Sequence, residues 1–530
     1  MTKDPSDLAT DSLRGGTSLF VGVGIATVVS GIGSILIGRL LGPGDYALYS
    51  LALILPTILF SLTIFGIDAA LVRYIPRLRM QGKENEAAGV LKAGLILRIV
   101  IACVLAIIGY FGSDVFADIV IHRPSLAPLI QTSSFAILFE ALLWVSFYSL
   151  QGLDRMSWSG LTRTTHAILK AVISVGLIIL GFGVLGGIIG FVASYVLSGI
   201  VSIFLLIWNS RSLREYIDES VSVIQMAKRI LSFGLPLYVV TIIASLMIQY
   251  RLILLATFTS DFEIGNFNAA VNIATILIGV TAPLLMVLLP AFSKLSATER
   301  GEIWGVAFSS GQRYVSFFVL PCISLFVILS DSIVYLLYGT EYTSASLYLI
   351  WFSTVLLVLT IGSGFLESFL IGLGENILTL SFWSVFFVLF LPLGWLFVSS
   401  YGIIGMIFAE LVSRLIAYLY GYWKGKTKYG IWIDGQGIMR VLAAAGLAGV
   451  LTFVIQSIIN LSYLLELIIC MLVYITLYMT FLPLTRAIRH TDLDLLHTAF
   501  SEIRGVRIIA NSGIQYERFL LNRFRHEQAT

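Results

Sequence analysis

Charged and amide side chains lying inside otherwise apolar runs are the residues of this sequence that could do chemistry. Arg98, Glu140, Arg251, Glu410 and Arg414 each interrupt a stretch rich in Leu, Ile, Val and Phe. An ionisable group in such a setting costs ~2.5–3.5 kcal/mol on insertion scales, so it is either paired or retained for function. The chemistry on offer is recognition rather than bond-making. A guanidinium engages phosphate or carboxylate oxygens bidentately, and an amide meets a hydroxyl. Arg98 lies about 15 Å into its run at 1.5 Å per residue, with Glu140 at similar depth in the next, so the two could pair with each other. Glu410 and Arg414 stand four apart on one helix face, a spacing that favours mutual neutralisation over substrate contact. Arg251 sits beside Gln249 and Tyr250 with no carboxylate within a turn. It has two readings: a cavity cation for phosphate oxygens, or a side chain that snorkels to the headgroups near Phe258. Asn268 and Asn272 share a face, with Asn266 close by, and could hydrogen-bond the hydroxyls of a polar ligand or hold helices together. Lys92, Lys170 and Asp68 lie within about two turns of a run's end and can snorkel.

Nothing in the chain points to a metal, a cofactor or catalysis. His122, His166, His490 and His497 are scattered without a second ligand at metal spacing. Cys103, Cys322 and Cys470 are far apart in apolar runs, which gives neither a disulfide framework nor a metal site. Gly421-Tyr-Trp-Lys-Gly-Lys-Thr427 resembles a phosphate loop, but it is one residue short and follows an apolar run rather than a strand. Direct drive by ATP and binding of nucleic acid are not expected, and the chain does not read as an enzyme.

The elements that must position these residues are membrane spans. Of 530 residues, 58% are hydrophobic and 12% charged, against roughly 25% charged in a soluble domain; the mean hydropathy is +0.95. Runs of about 20 apolar residues mark crossings. They fall at 16–38, 46–68, 88–111, 128–150, 165–181, 186–208, 232–257, 264–290, 311–330, 346–371, 378–398, 401–423, 439–459 and 462–483, and are numbered here as spans 1 to 14. Even-to-odd connections are basic, among them Arg77, Arg79 and Lys83, then Arg211, Arg214 and Lys228, then Lys294 and Arg300, then Lys424, Lys426 and Lys428. The opposite connections offer Arg39 and Arg123. That bias predicts a multi-pass cell-membrane protein with both termini cytoplasmic. The polar N-terminus has no cleavable signal pattern. In the tail, Leu493, Leu496, Phe500 and Ile503 have helical spacing, which predicts a small cytoplasmic helix.

The chain also repeats itself. Asp45-Tyr-Ala-Leu-Tyr-Ser-Leu-Ala52 matches Glu263-Ile-Gly-Asn-Phe-Asn-Ala-Ala270, Tyr148-Ser-Leu-Gln-Gly-Leu153 matches Ser368-Phe-Leu-Ile-Gly-Leu373, and Phe182-Gly-Val-Leu-Gly186 matches Tyr401-Gly-Ile-Ile-Gly405. The offsets are about 218, 220 and 219 residues. The expected fold is an all-α polytopic membrane protein of about fourteen helices, two six-helix lobes in parallel pseudo-twofold repeat plus two C-terminal helices. The boundaries that follow are an N-terminal segment 1–15, an N-lobe 16–208, a linker 209–231, a C-lobe 232–423, a loop 424–438, two further spans over 439–483 and a tail 484–530. Such lobes would enclose a cavity and open it to either side by rocking.

Arg39-Leu-Leu-Gly-Pro-Gly-Asp-Tyr-Ala-Leu-Tyr49 resembles the first outer loop of Wzx-like oligosaccharide flippases, the polysaccharide transporters. Gly265, Ala269-Ala270, Leu289-Pro290 and Lys294-Leu295 look like its second-lobe counterpart, and Tyr338-Gly-Thr-Glu-Tyr342, Gly372-Leu-Gly-Glu375 and Tyr401-Gly-Ile-Ile-Gly405 fall where that family has similar segments. The likeness covers roughly residues 12 to 425. It implies the multidrug/oligosaccharidyl-lipid/polysaccharide superfamily fold and translocation of a polyprenyl-linked saccharide to the outer leaflet, with cavity cations meeting its pyrophosphate. The implied partners are that lipid-linked saccharide, membrane lipids and glycan-assembly enzymes. Span 1 lacks an internal Arg, so the cation must come from elsewhere, with Arg251 first and Arg98 and Arg414 after it. The alternative is a cation-coupled small-molecule antiporter of the same superfamily. The two extra spans and the lack of clustered first-lobe carboxylates favour the flippase. A membrane glycosyltransferase would want acidic residues in a large outer loop, and no such loop is present.

Overall fold

The computed structural model describes residues 5–214, 222–276, 302–459, 461–488, 493 and 507–526. Those residues are helical almost throughout, as the bilayer demands: with no water to satisfy them, backbone N–H and C=O groups must bond within the segment. Ten helical runs are long and apolar enough to cross a membrane. Three of them, Gly16–Met80, Met156–Asn209 and Asn376–Tyr429, are 65, 54 and 54 residues long and hold two expected spans each. The breaks inside them fall on glycines with positive φ, which only glycine adopts without strain. Gly42 has φ 74° and ψ 168°, Gly183 φ 53° and ψ −136°, and Gly402 φ 57° and ψ −131°. Counting those three runs twice gives thirteen crossings among the described residues. The remaining expected span, 264–290, is helical over 261–276 and otherwise lies outside them, as do Leu289-Pro290, Lys294, Leu295 and Arg300. So do Leu496, Phe500 and Ile503 of the expected tail helix. Among its described residues the tail shows a helix at Arg507–His526. It lies against span 14, with the Tyr516 and Thr480 hydroxyls 3.0 Å apart. Burial pushes the carboxyl of Glu517 there up to about 8.

Two compact units divide the chain. One holds Met1–Asn272 and Phe387–Met406, the other Ile273–Phe386 and Ile407–Thr530. Within the first, small residues let helices touch. A Cβ on Gly22 would sit 2.8 Å from Gly160 Cα, and one on Gly190 2.4 Å from Ser174 Cα. Of the Gly183/Gly187 and Gly186/Gly190 pairs, Gly187 and Gly190 make such approaches, to Tyr49 and Ser174, while Gly183 meets nothing within 4 Å. Large apolar side chains such as Phe111, Leu180 and Phe204 are exposed, as a lipid-facing surface requires. Spans 13 and 14 form an antiparallel pair, Gly435–Ile458 and Tyr463–Leu484, within the second unit.

Candidate functional site

Span 2 is where the first unit departs from plain helix. Ile54–Leu62 stops, Phe65 and Gly66 take φ of 38° and 71°, and helix resumes at Ile67–Met80. A phenylalanine at positive φ is strained and persists only where its surroundings hold it. Its ring stacks on Tyr238 of span 7 at 5.1 Å. The break puts Asp68 in the first turn of the new segment, turned towards span 3. There Arg98, fully buried in Glu84–Val115, donates from Nη1 to Asp68 Oδ1 over 3.1 Å. Its Nε and Nη2 are buried without a hydrogen-bond partner. The expected pairing of Arg98 with Glu140 therefore does not form, and Asp68 does not snorkel. The bend at residues 63–66 supplies a nearer carboxylate.

Glu140 accepts instead from the Tyr195 hydroxyl at 2.9 Å. His166 stacks on Tyr195 at 4.1 Å and places Nδ1 3.2 Å from Ser198 Oγ. Lys170, expected to snorkel, lies 5.6 Å from the Phe191 ring centroid, and both its charge and that of Arg98 act on Glu140. Lys92 is exposed.

In front of the Asp68–Arg98 pair lies a cavity of about 520 Å³ lined by Asp68, Arg73, Tyr148, Gln151, Tyr238 and Thr241, among others. Span 7 closes one wall. Gly66 and Gly234 meet backbone to backbone, so that a Cβ on either would come within 2.2–2.5 Å of the other. The Arg73 guanidinium lies 4.3 Å from the Phe233 ring centroid, and Arg229 Nη1 meets Glu86 Oε2 at 3.0 Å at the basic-loop end. Towards the opposite end Arg123 and Asp261 pair at 3.2 Å, Gly265 packs on the Pro43 backbone, and Asn272 Nδ2 donates to the Tyr46 hydroxyl.

The residues singled out in the sequence do not gather in one place. Arg251 lies 5.4 Å from the Phe267 ring centroid, Gln249 is buried, and Asn268 is half-buried with Nδ2 enclosed and without a hydrogen-bond partner. Arg251, Gln249, Asn268 and Asn272 are not among the described residues lining the cavity at Asp68. Glu410 and Arg414 pair on one helix of the second unit at 2.9 Å, as their spacing predicts. Sequence reasoning missed Arg73, Gln151 and Tyr238. Asp68, Arg73 and Arg77 depress hydropathy enough to end span 2 early on paper, whereas the helix runs to Met80.

A family model described as "Polysaccharide biosynthesis protein" matches residues 12–296. The chain belongs to that polysaccharide biosynthesis family. It is similar in fold to several solved transporters of the MOP superfamily. The lipid II flippase MurJ in an inward closed conformation superposes with a TM-score of 0.72 at 16% identity, over 88% of this chain and 98% of that one. An inward-facing multidrug-resistance MATE transporter gives 0.61 at 18%, over 77% and 98%. A MOP transporter from Pyrococcus furiosus gives 0.55 at 19%, over 78% and 95%. No curated protein sequence matches the chain significantly. The fold is one that multi-pass membrane transporters share. In this polysaccharide biosynthesis protein the cavity combines one exposed cation, one paired carboxylate, an amide and two phenols. That set can hold an anionic, hydroxyl-rich headgroup without reacting with it.

Proposed function

We propose that the chain translocates a polyprenyl-linked saccharide from the cytoplasmic to the outer leaflet by alternating access of two six-span lobes, with both termini cytoplasmic. The observation that carries the reading is a cavity among the helices of the first unit that presents Arg73, backed by the buried Asp68–Arg98 pair. A lipid pyrophosphate cannot cross a low-dielectric region uncompensated. Arg73 lies at the basic-loop end, where such a headgroup would enter, and its guanidinium can take phosphate oxygens in a fork. Arg251 is the second cation on the route, deeper in span 7. Gln151 and Tyr148 offer partners for sugar hydroxyls.

The test is translocation of a fluorescent polyprenyl-diphosphate sugar in proteoliposomes. Arg73→Gln is expected to slow it at least tenfold with unchanged thermal stability, and Arg251→Gln to slow it less. Arg73→Lys should recover part of the rate, since charge returns without the bidentate fork. Full transport by the Arg73→Gln, Arg251→Gln double variant would refute the phosphate–cation reading.

One observation favours a second reading, a cation-coupled small-molecule antiporter: two carboxylates, Asp68 and Glu140, lie within the spans of the first unit. Dye efflux that depends on Glu140, without any lipid translocation, would select it.

A further inference from the structure

Apart from the cavity at Asp68, the second unit carries a cleft of about 560 Å³ at the ends of spans 9, 10, 13 and 14. Its walls are the short helix Ser330–Tyr338 with the loop that follows, and the turn joining Gly435–Ile458 to Tyr463–Leu484. Span parity puts all four ends on the side opposite the basic loops. Tyr335 and Tyr463 lie with ring centroids 3.8 Å apart at 31°, and both are more than a third exposed. Beside them Glu466 Oε1 accepts from Ser332 Oγ at 2.8 Å and from Gln456 Nε2 at 2.5 Å. That arrangement fixes the amide of Gln456, whose Oε1 is buried without a hydrogen-bond partner. Asp331 completes the polar rim, and no Lys or Arg is among the described lining residues.

The chemistry narrows the ligand. Two carboxylates without a facing cation repel phosphates and uronic acids. A metal ion is disfavoured, because Glu466 Oε1 already holds two donors and no group of three acidic, His or Cys ligands occurs among the described residues. An apolar ligand would strip water from the Asp331 and Glu466 carboxylates and the Thr340 hydroxyl without replacing its hydrogen bonds. A sugar meets every requirement. Its hydroxyls donate to carboxylate and hydroxyl oxygens of the rim, and its C–H face packs on exposed tyrosine rings. The volume suits a short saccharide.

We infer that this cleft is a saccharide-binding site for a neutral or amino sugar, and that it engages the glycan of the translocated lipid on the outer side. The second clause rests on the transport proposed above; the first stands on the cleft alone. Spans 13 and 14 thereby acquire a role, since they supply Gln456, Tyr463 and Glu466.

The test uses the full-length protein in lipid nanodiscs, with saturation-transfer NMR against N-acetylglucosamine, galactosamine, maltose, glucuronate and glucose 1-phosphate. At least one neutral or amino probe is expected to bind saturably in the millimolar range, with both anionic probes at least tenfold weaker. Gln456→Leu and Tyr463→Ala should each weaken binding at least tenfold, with Tyr335→Ala as the second aromatic variant should Tyr463→Ala lose thermal stability. No saturable binding by any probe, or wild-type binding in the variants, would overturn the site. Lipid translocation is measured in parallel. Translocation without sugar binding removes the cleft and leaves the flippase, whereas sugar binding without translocation does the reverse.

Discussion

The turn that closes span 4 and the turn that closes span 10 are one structure, while the charges buried in the spans around them are not. After span 4, Leu153, Asp154 and Arg155 bond back to Ser149, Gln151 and Leu150; after span 10, Leu373, Gly374 and Glu375 bond back to Phe369, Ile371 and Leu370. Each residue in the second set lies 220 after its counterpart. Both are helix ends with a left-handed residue and the long return bond that satisfies an orphan carbonyl. The outer turns agree as well, Gly183 and Gly402 differing by only a few degrees in φ and ψ. The charges diverge. The first region ties span 2 to span 3 through Asp68–Arg98 and holds Glu140 against Tyr195. The second neutralises Glu410 and Arg414 on a single helix and gives Glu367 the Trp383 indole at 3.0 Å. Turns answer to the common need to reverse direction at a membrane face. Buried charges answer to what each half must hold, and there the halves part.

The largest effect should come from the charges. Removing one partner of a buried cross-helix pair leaves the other uncompensated, so Arg98→Leu should cost about 3–5 kcal/mol. Adding Asp68→Leu should recover most of that loss. Arg414→Leu should cost about 1 kcal/mol or less in helix packing, because its pair lies on one helix and survives in membrane-inserted but unpacked chains. Thermal unfolding of the three variants in one detergent reads the contrast. Equal losses for Arg98→Leu and Arg414→Leu would show that the two pairs do the same job, and the asymmetry would be gone.

The outer glycines come next. An alanine at φ near +55° and ψ near −135° is strained, at about 1–3 kcal/mol. Gly183→Ala meets nothing else within 4 Å, and Gly402→Ala meets Thr259 Cγ2 at an ordinary 3.5 Å. Strain alone therefore sets both losses, and they should be equal in the same unfolding assay. A loss at one position only would mean that the matching angles do not reflect a shared structural demand.

The repeat was legible in the sequence because its signals are short and local: Gly at a turn, a hydrophobic run, a fixed offset. The spans were legible for the same reason. The cavity was not. Its entrance depends on a helix break at residues 63–66 that no proline or double glycine marks. Once the break is missed, Asp68 seems to point at headgroups, Arg98 seems to need Glu140, and Arg73 seems to lie in a loop. Glu410–Arg414, by contrast, could be read from its spacing, because both partners share one helix. Pairings across helices depend on helix rotation, which hydropathy does not encode.

The smallest effect tests the shared inner turn most directly. Asp154 holds φ 60° and Gly374 φ 78° at the same step of the same hydrogen-bond pattern. A side chain in the left-handed region costs about 1 kcal/mol more than glycine, and asparagine tolerates it nearly as well as aspartate. Asp154→Gly should therefore stabilise the protein by up to about 1 kcal/mol, less the entropy that glycine adds to the unfolded chain. Gly374→Asn should lose a similar amount. Asparagine is the right probe at 374 because of its neighbour. Burial pushes the Glu375 carboxyl up, but hydrogen bonds from Lys428, at 2.6 Å, and Tyr429 outweigh it and hold the group below the usual range. An aspartate beside it would add repulsion to backbone strain, whereas asparagine leaves the backbone effect alone. Asp154→Asn is the matching control and should change nothing. If Asp154→Gly instead destabilises, the Asp154 carboxylate is engaged at the basic-loop face and the two turns differ in chemistry despite their common backbone. Opposite and similar shifts at 154 and 374 would leave the turns interchangeable, and the division of labour between the halves would rest on the buried charges.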